Sequence, residues 1–140
     1  MTVVVVAVDG TAACHRAALA APVVFPDSRF VVATVVDRPG PIGIPGSARA
    51  AVWEATRSIA LDSARRVAEE ESDAVGPRAS PLVLSGEPVG ELCALARRVD
   101  ASAVVVGSIG GRAMQGLRGP CVGTDLLERA PCAVIDLGGP

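Results

Sequence analysis

The sequence predicts an α/β three-layer sandwich, a five-stranded parallel sheet with helices on both faces. Three observations lead there. Short β-branched runs such as Val3–Val8 recur along the chain. Between them lie stretches whose apolar residues follow helical spacing. The strand-like runs are apolar throughout rather than alternating, as in strands covered on both faces. Strands and helices that alternate in this way build a parallel sheet with right-handed crossovers.

Val3–Val8 reads VVVVAV and ends at Asp9-Gly10, which makes it the first strand. Thr11 can cap the Ala-rich helix that follows, and Pro22 is expected to stop it. Phe30–Val36 is the second strand. Segment 37–47, with three prolines and three glycines in RPGPIGIPGS, reads as a mobile loop inside one domain of residues 1–140. From Ser47 to Asp73, Val52, Thr56, Ile59, Ser63 and Val67 recur at helical spacing and are expected to face the core. Glu54, Arg57, Arg65, Arg66 and Glu69 would then lie on the opposite side. Pro81–Leu84 suits a third, short strand, and Val89, Leu92, Cys93, Ala96 and Val99 form the stripe of a third helix. Ala103–Val106 is the fourth strand, the residues after Pro120 form a helix, and Ala133–Leu137 is the last strand.

Composition narrows the function. Half of the 140 residues are hydrophobic, enough for a proper core. Trp53, Phe25 and Phe30 are the only aromatic residues, so a stacking platform for single-stranded nucleic acid is missing. The net charge of −2, without a basic run, argues against duplex binding. All 13 basic residues are arginine, and the absence of lysine excludes the lysine-bearing phosphate loop, Schiff-base chemistry and a lysine base. Cys14, Cys93, Cys121 and Cys132 form no CxxC pair, and with His15 as the single histidine no metal site is expected. The first apolar run is too short for a signal segment, and no stretch approaches the roughly 20 apolar residues of a membrane span. A cytoplasmic protein is the expectation.

Open parallel sheets bind ligands beyond the carboxyl ends of their strands, where the strand order reverses. The strand ends here are Asp9, Val36-Asp37, Leu84-Ser85 and Gly107-Ser108. Asp9 places a carboxylate after a fully apolar strand. Gly107 opens a segment with further glycines at 110, 111, 116 and 119, a composition that lets backbone N–H groups converge on an anion at the start of the next helix. The simpler reading of Gly107 is a glycine that ends a strand, and that of Asp9 is a cap beside Gly10 and Thr11. The first strand is not followed by GxGxxG, which disfavours a dinucleotide fold.

Three stretches, VVVVAVDGT, SGEPVGELCALARRVDASAVVVGS and GSIGGRAMQGLRGPCVGTDLLERAPCAVIDL, resemble the universal stress protein family over essentially the whole chain. The resemblance implies a sheet of order 3-2-1-4-5, which makes the first and fourth strands neighbours and sets Asp9 against Gly107. It also implies an ATP site, with magnesium carried by the nucleotide. Carried over by position, Ala7, Val8 and Asp9 would lie against adenine and ribose, and Val35 would wall the base. Val106 and Gly107 would approach the ribose and phosphates, and Gly110, Cys121 and Val122 would line the phosphate end. A homodimer paired through the C-terminal edge strand, residues 132–137, and an unnamed regulatory protein partner are further implications.

The family's phosphate segment is Gly-x2-Gly-x9-Gly-[Ser/Thr]; this chain keeps Gly107 and Gly110 but has Pro120-Cys121 at the end. Proline lacks an N–H and cysteine replaces a hydroxyl with a weak donor. Each lost hydrogen bond to a charged phosphate costs about 1.5–3 kcal/mol, so affinity is expected to fall by roughly one to four orders of magnitude. Pro120 also suits the first position of a helix. Arg112 and Arg118 stand either as solvated loop charges or as guanidinium partners for phosphate.

The expected function is a stress-response protein that binds an adenine nucleotide weakly. The alternatives are a nucleotide-free dimeric interaction module, and a slow ATP-hydrolysing or nucleotidyl-transferring enzyme. No catalytic set is visible: neighbouring Cys14 and His15 point about 100° apart on a helix and cannot pair. Cys121, at a helix start, is a candidate redox thiol. Trp53 reads as partial core or as a cover for the crevice, and Cys132 as a small buried residue.

Overall fold

The computed structural model describes residues 1–37, 46–107 and 122–139. Its elements are β1 (Val3–Ala7), α1 (Ala12–Val24), β2 (Arg29–Val36), α2 (Gly46–Val75), β3 (Ala79–Ser85), α3 (Pro88–Arg98), β4 (Ala103–Val106), α4 (Val122–Arg129) and β5 (Ala133–Asp136). The five strands form one sheet of order β3-β2-β1-β4-β5, and every pairing is parallel. β1 aligns Val4, Val5 and Val6 with Ala103, Val104 and Val105 of β4, and Ala7 with Ala33 of β2.

Period-two alternation sends the strand side chains into two separate cores. Val5, Ala7, Ala33, Val35, Val104 and Val106 pack against Val89, Leu92, Leu95 and Ala96 of α3 and Leu126 of α4. Val4, Val6, Val8, Phe30, Val32 and Val105 pack against Cys14, Ala17, Ala18 and Ala21 of α1, with Val67 and Val75 of α2. This is why β1 tolerates no polar residue. Each fully buried valine contributes about 1.5–3 kcal/mol, and β1 supplies Val4, Val5 and Val6 at 0% exposure.

Pro22 does not stop α1. The helix runs to Val24, and the Phe25 N–H still donates to the Ala21 carbonyl at 2.9 Å. A proline in the last turn removes only its own N–H and leaves the final bond intact. The stripe expected on α2 is also corrected. Val52 and Ile59 are exposed, as are Thr56 and Ser63, and Val67 is only partly buried. The buried face is instead Ala64, Ala68, Glu71, Ser72 and Val75, small residues and polar ones whose role as core the hydrophobic pattern conceals. α2 begins at Gly46, so residues 46 and 47 belong to the helix rather than to the loop, while 38–45 lie outside the described residues. β3 is longer than expected and carries Pro81 inside it; β3 is an edge strand, where proline is tolerated. β1 and β5 each end one residue earlier than read from the sequence, and β2 starts one earlier. The α3 stripe agrees: Val89, Leu92, Cys93 and Ala96 are buried and Val99 packs beside them.

Candidate functional site

The carboxyl tips of β1 and β4 emerge side by side, where the strand order reverses. No strand separates Asp9 from Gly107. Four of the site residues expected from the sequence sort by face. Ala7, Val35 and Val106 belong to the core that faces α3 and α4. Val8 belongs to the opposite core, is completely buried, and donates its N–H to the Ala33 carbonyl at 2.9 Å. A ligand on the α3–α4 side could therefore meet only backbone at Val8.

Asp9 is held by the turn that follows it. Its Oδ1 accepts the Thr11 N–H at 2.9 Å, and Gly10 takes a φ of +87°, which glycine adopts without strain. Thr11 is the N-cap of α1, with its Oγ1 accepting the Cys14 N–H at 3.3 Å. Oδ1 serves the turn, whereas Oδ2 is buried and has no hydrogen-bond partner. A buried carboxylate oxygen without a donor costs about 1–3 kcal/mol or more, which a ligand N–H or O–H would recover.

Gly107 is required by packing. A Cβ there would sit 2.8 Å from the Cys14 nitrogen and 2.9 Å from the Ala13 carbonyl carbon, both backbone atoms of the first turn of α1. Behind it, the chain beyond β5 folds back: Leu137 N–H donates to the Val106 carbonyl at 3.0 Å, and Gly138 lays its backbone on Gly107. Arg16 Nε donates to the Gly138 carbonyl, and Gly138 N–H to Asp136 Oδ1 at 2.9 Å. The involvement of Arg16 and Gly138 was not legible in the sequence, because 122 residues separate the two partners.

Cys14 is buried beneath this turn. Burial, with the carboxylate of Asp9 adding to it, pushes its thiol up to about 12, so it is no nucleophile. His15 points the other way, to Glu71 of α2, at 2.8 Å from Nδ1 to Oε1. The two neighbours do not pair, as their helical spacing predicts. Cys93 is buried in α3, while Cys132 is half-buried rather than fully buried and packs against the same core. Gly110, Arg112, Arg118, Pro120 and Cys121 lie outside the described residues, as does the side chain of Trp53; Val122 is the first residue of α4. Among the described residues no group of three or more His, Cys, Asp or Glu side chains is arranged to hold a metal ion. No described helix is long and apolar enough to cross a membrane.

Solved structures share this architecture. A universal stress protein family protein from Burkholderia pseudomallei is 23% identical, with 99% of this chain and 96% of that one covered at a TM-score of 0.72. The universal stress protein of Archaeoglobus fulgidus, solved in complex with dAMP, is 22% identical, with 98% and 97% covered at 0.60. An Arabidopsis thaliana universal stress protein family protein, solved with AMP bound, is 18% identical, with 98% and 91% covered at 0.63. No curated protein matches the chain. The sequence profile described as Universal stress protein family matches residues 1–135, nearly the full length, and the chain belongs to that family.

Proposed function

We propose that this protein binds an adenine nucleotide in the crevice between the tips of β1 and β4 and acts as a stress-response regulator. The observation that carries the reading is the buried, unpartnered Oδ2 of Asp9, next to the glycine tip of the neighbouring strand. An acceptor so placed suits a ribose hydroxyl or an adenine amine. The relatives solved with AMP and dAMP support the same ligand class. Asp9 and the backbone of Ala7 and Val8 would hold the nucleoside, with Val35 and Val106 as its apolar wall. Gly107, Gly110, Cys121 and Val122 would meet the phosphates of ATP, whose magnesium travels with the nucleotide. Pro120-Cys121 weakens that grip, so the affinity is modest. We read the protein as a binder, not an enzyme: it carries no lysine, its buried thiol is held protonated, and its one imidazole is paired with Glu71.

A second reading, a nucleotide-free dimeric interaction module, is favoured by Pro120-Cys121 itself. In both readings a homodimer forms through the edge strand at residues 132–137, a regulatory protein is the partner, and the compartment is the cytoplasm. Calorimetry with millimolar ATP and magnesium decides between them. A saturable, modest heat supports the nucleotide reading, and a flat titration leaves the interaction module.

A further inference from the structure

We propose that a second cavity, between α1 and α2, is a binding site for a small organic cation, an aliphatic diamine in chemical class. The cavity has a volume of about 470 Å³ and is lined by Gly10, Thr11, His15, Val67, Glu70 and Glu71. That lies within the size range of small-molecule sites, roughly 300–1,000 Å³. None of the residues assigned to the nucleotide crevice lines it, so the proposal stands apart from that reading.

Charge selects the class of ligand. Two carboxylates line the cavity, and no arginine does. The start of α1 opposes them with the field of a helix N-terminus, equivalent to about half a positive charge. With two acidic side chains and His15 as the one basic group in the lining, the cavity suits a cation rather than an anion.

Glu71 supplies the second, independent observation. It is 8% exposed, its Oε1 accepts from His15 Nδ1 at 2.8 Å, and its Oε2 is buried with no partner. The three buried side-chain polar atoms without partners among the described residues are Asp9 Oδ2, Thr34 Oγ1 and Glu71 Oε2. Glu71 Oε2 lacks a donor, and a ligand ammonium group is all donor. His15 fixes the Glu71 carboxylate while its own ring remains half exposed at the cavity. A metal ion fits less well, since no three ligating side chains among the described residues are arranged for one. Val67 offers an apolar wall for methylene groups. Gly10 sits opposite, where a Cβ would come within 3.5 Å of the Val67 side chain.

The test is a titration of the full chain, without nucleotide and at low salt, with 1,4-diaminobutane and with the neutral 1,4-butanediol, followed by calorimetry and by the NMR signals of the His15 ring. Saturable one-to-one binding of the diamine alone, with the His15 signals shifting, is the expected result. Glu71→Gln and Glu70→Gln should each weaken it at least about tenfold, or 1.4 kcal/mol. Glu70 is exposed, so Glu70→Gln keeps the test valid if Glu71→Gln disturbs the fold. Equal effects of diamine and diol, non-saturable binding, or unchanged affinity in a folded Gln variant would overturn the proposal.

Discussion

Gly138 rests its backbone directly on the carbonyl of Gly107, so that the end of the chain covers the tip of β4. The contact leaves no room for a side chain at Gly138, and the backbone of α1 leaves none at Gly107. At Gly138 a Cβ would be driven into the Gly107 backbone, which cannot rotate away as a flexible side chain could. Gly138→Ala is therefore expected to lift the tail and break its bonds to Arg16 and Asp136. The expected cost is about 1–3 kcal/mol, read by urea denaturation. Arg16→Gln, which removes only one tail hydrogen bond, should cost about 1 kcal/mol. If Gly138→Ala is as stable as the parent, the tail does not pack on Gly107.

Asp9→Asn separates the two roles of Asp9. Asparagine keeps an oxygen for the Thr11 N–H, so α1 remains anchored and the denaturation midpoint should barely move. The other position changes from acceptor to donor and can no longer receive a hydrogen from a nucleotide. ATP affinity should fall at least tenfold, the equivalent of about 1.4 kcal/mol. Thr11→Ala makes the complementary change: it removes the cap, lowers stability by about 1 kcal/mol, and leaves Oδ2 of Asp9 in place. Calorimetry and denaturation on the same two variants check both statements.

These residues also mark what the sequence discloses and what it hides. Asp9 and Gly107 were legible because an apolar run that ends in a carboxylate or a glycine is a local signal. The face that each strand residue presents follows from period two once β1 and β4 are known to be neighbours. That adjacency came from the family resemblance and not from any spacing. The α2 face was misread because Ala64, Ala68 and Ser72 carry little hydrophobic signal, whereas Val52 and Ile59 carry much and lie exposed. His15 and Glu71 are 56 residues apart, and Arg16 and Gly138 122, so neither contact leaves a trace in local sequence. The segment proposed to meet the phosphates, from Gly110 to Cys121, is known from the sequence alone.

The buried thiol of Cys14 makes stability depend on alkaline pH. Its folded value is about 12 against an ordinary 9.0, so below pH 9 both states keep the proton and nothing is lost. Between 9 and 12 the unfolded chain releases a proton that the folded chain retains, and stability falls as pH rises. Burial pushes Cys93 and Cys132 in the same direction. Urea midpoints from about pH 8 to about pH 11 should decline, by at most about 1.4 kcal/mol per pH unit for each such thiol. Cys14→Ala should flatten part of that decline. An unchanged slope in the variant would mean that the Cys14 thiol is solvated.

β5 is an edge of the sheet, and its outer side is where a second copy would pair. Ala133 on that strand is exposed. Sedimentation at tens of micromolar should give a dimer. Ala133→Lys adds a charge to each edge and should shift the protein toward monomer. A parent protein that sediments only as monomer removes the edge-pairing proposal.

Pro120-Cys121 is the most direct test of why the affinity should be modest. The family pattern places Gly-Ser or Gly-Thr there, an N–H and a hydroxyl that this chain has exchanged for a ring nitrogen and a thiol. Pro120→Gly combined with Cys121→Ser restores both donors. If the phosphates reach the start of α4, two hydrogen bonds to charged oxygens return at about 1.5–3 kcal/mol each. ATP should then bind at least tenfold more tightly, while AMP, which places less charge at that end, should gain less. A parallel gain for AMP and ATP would locate the effect at the nucleoside instead. No gain for either would mean that the phosphates are held by another part of the loop, with Arg112 and Arg118 the next residues to replace.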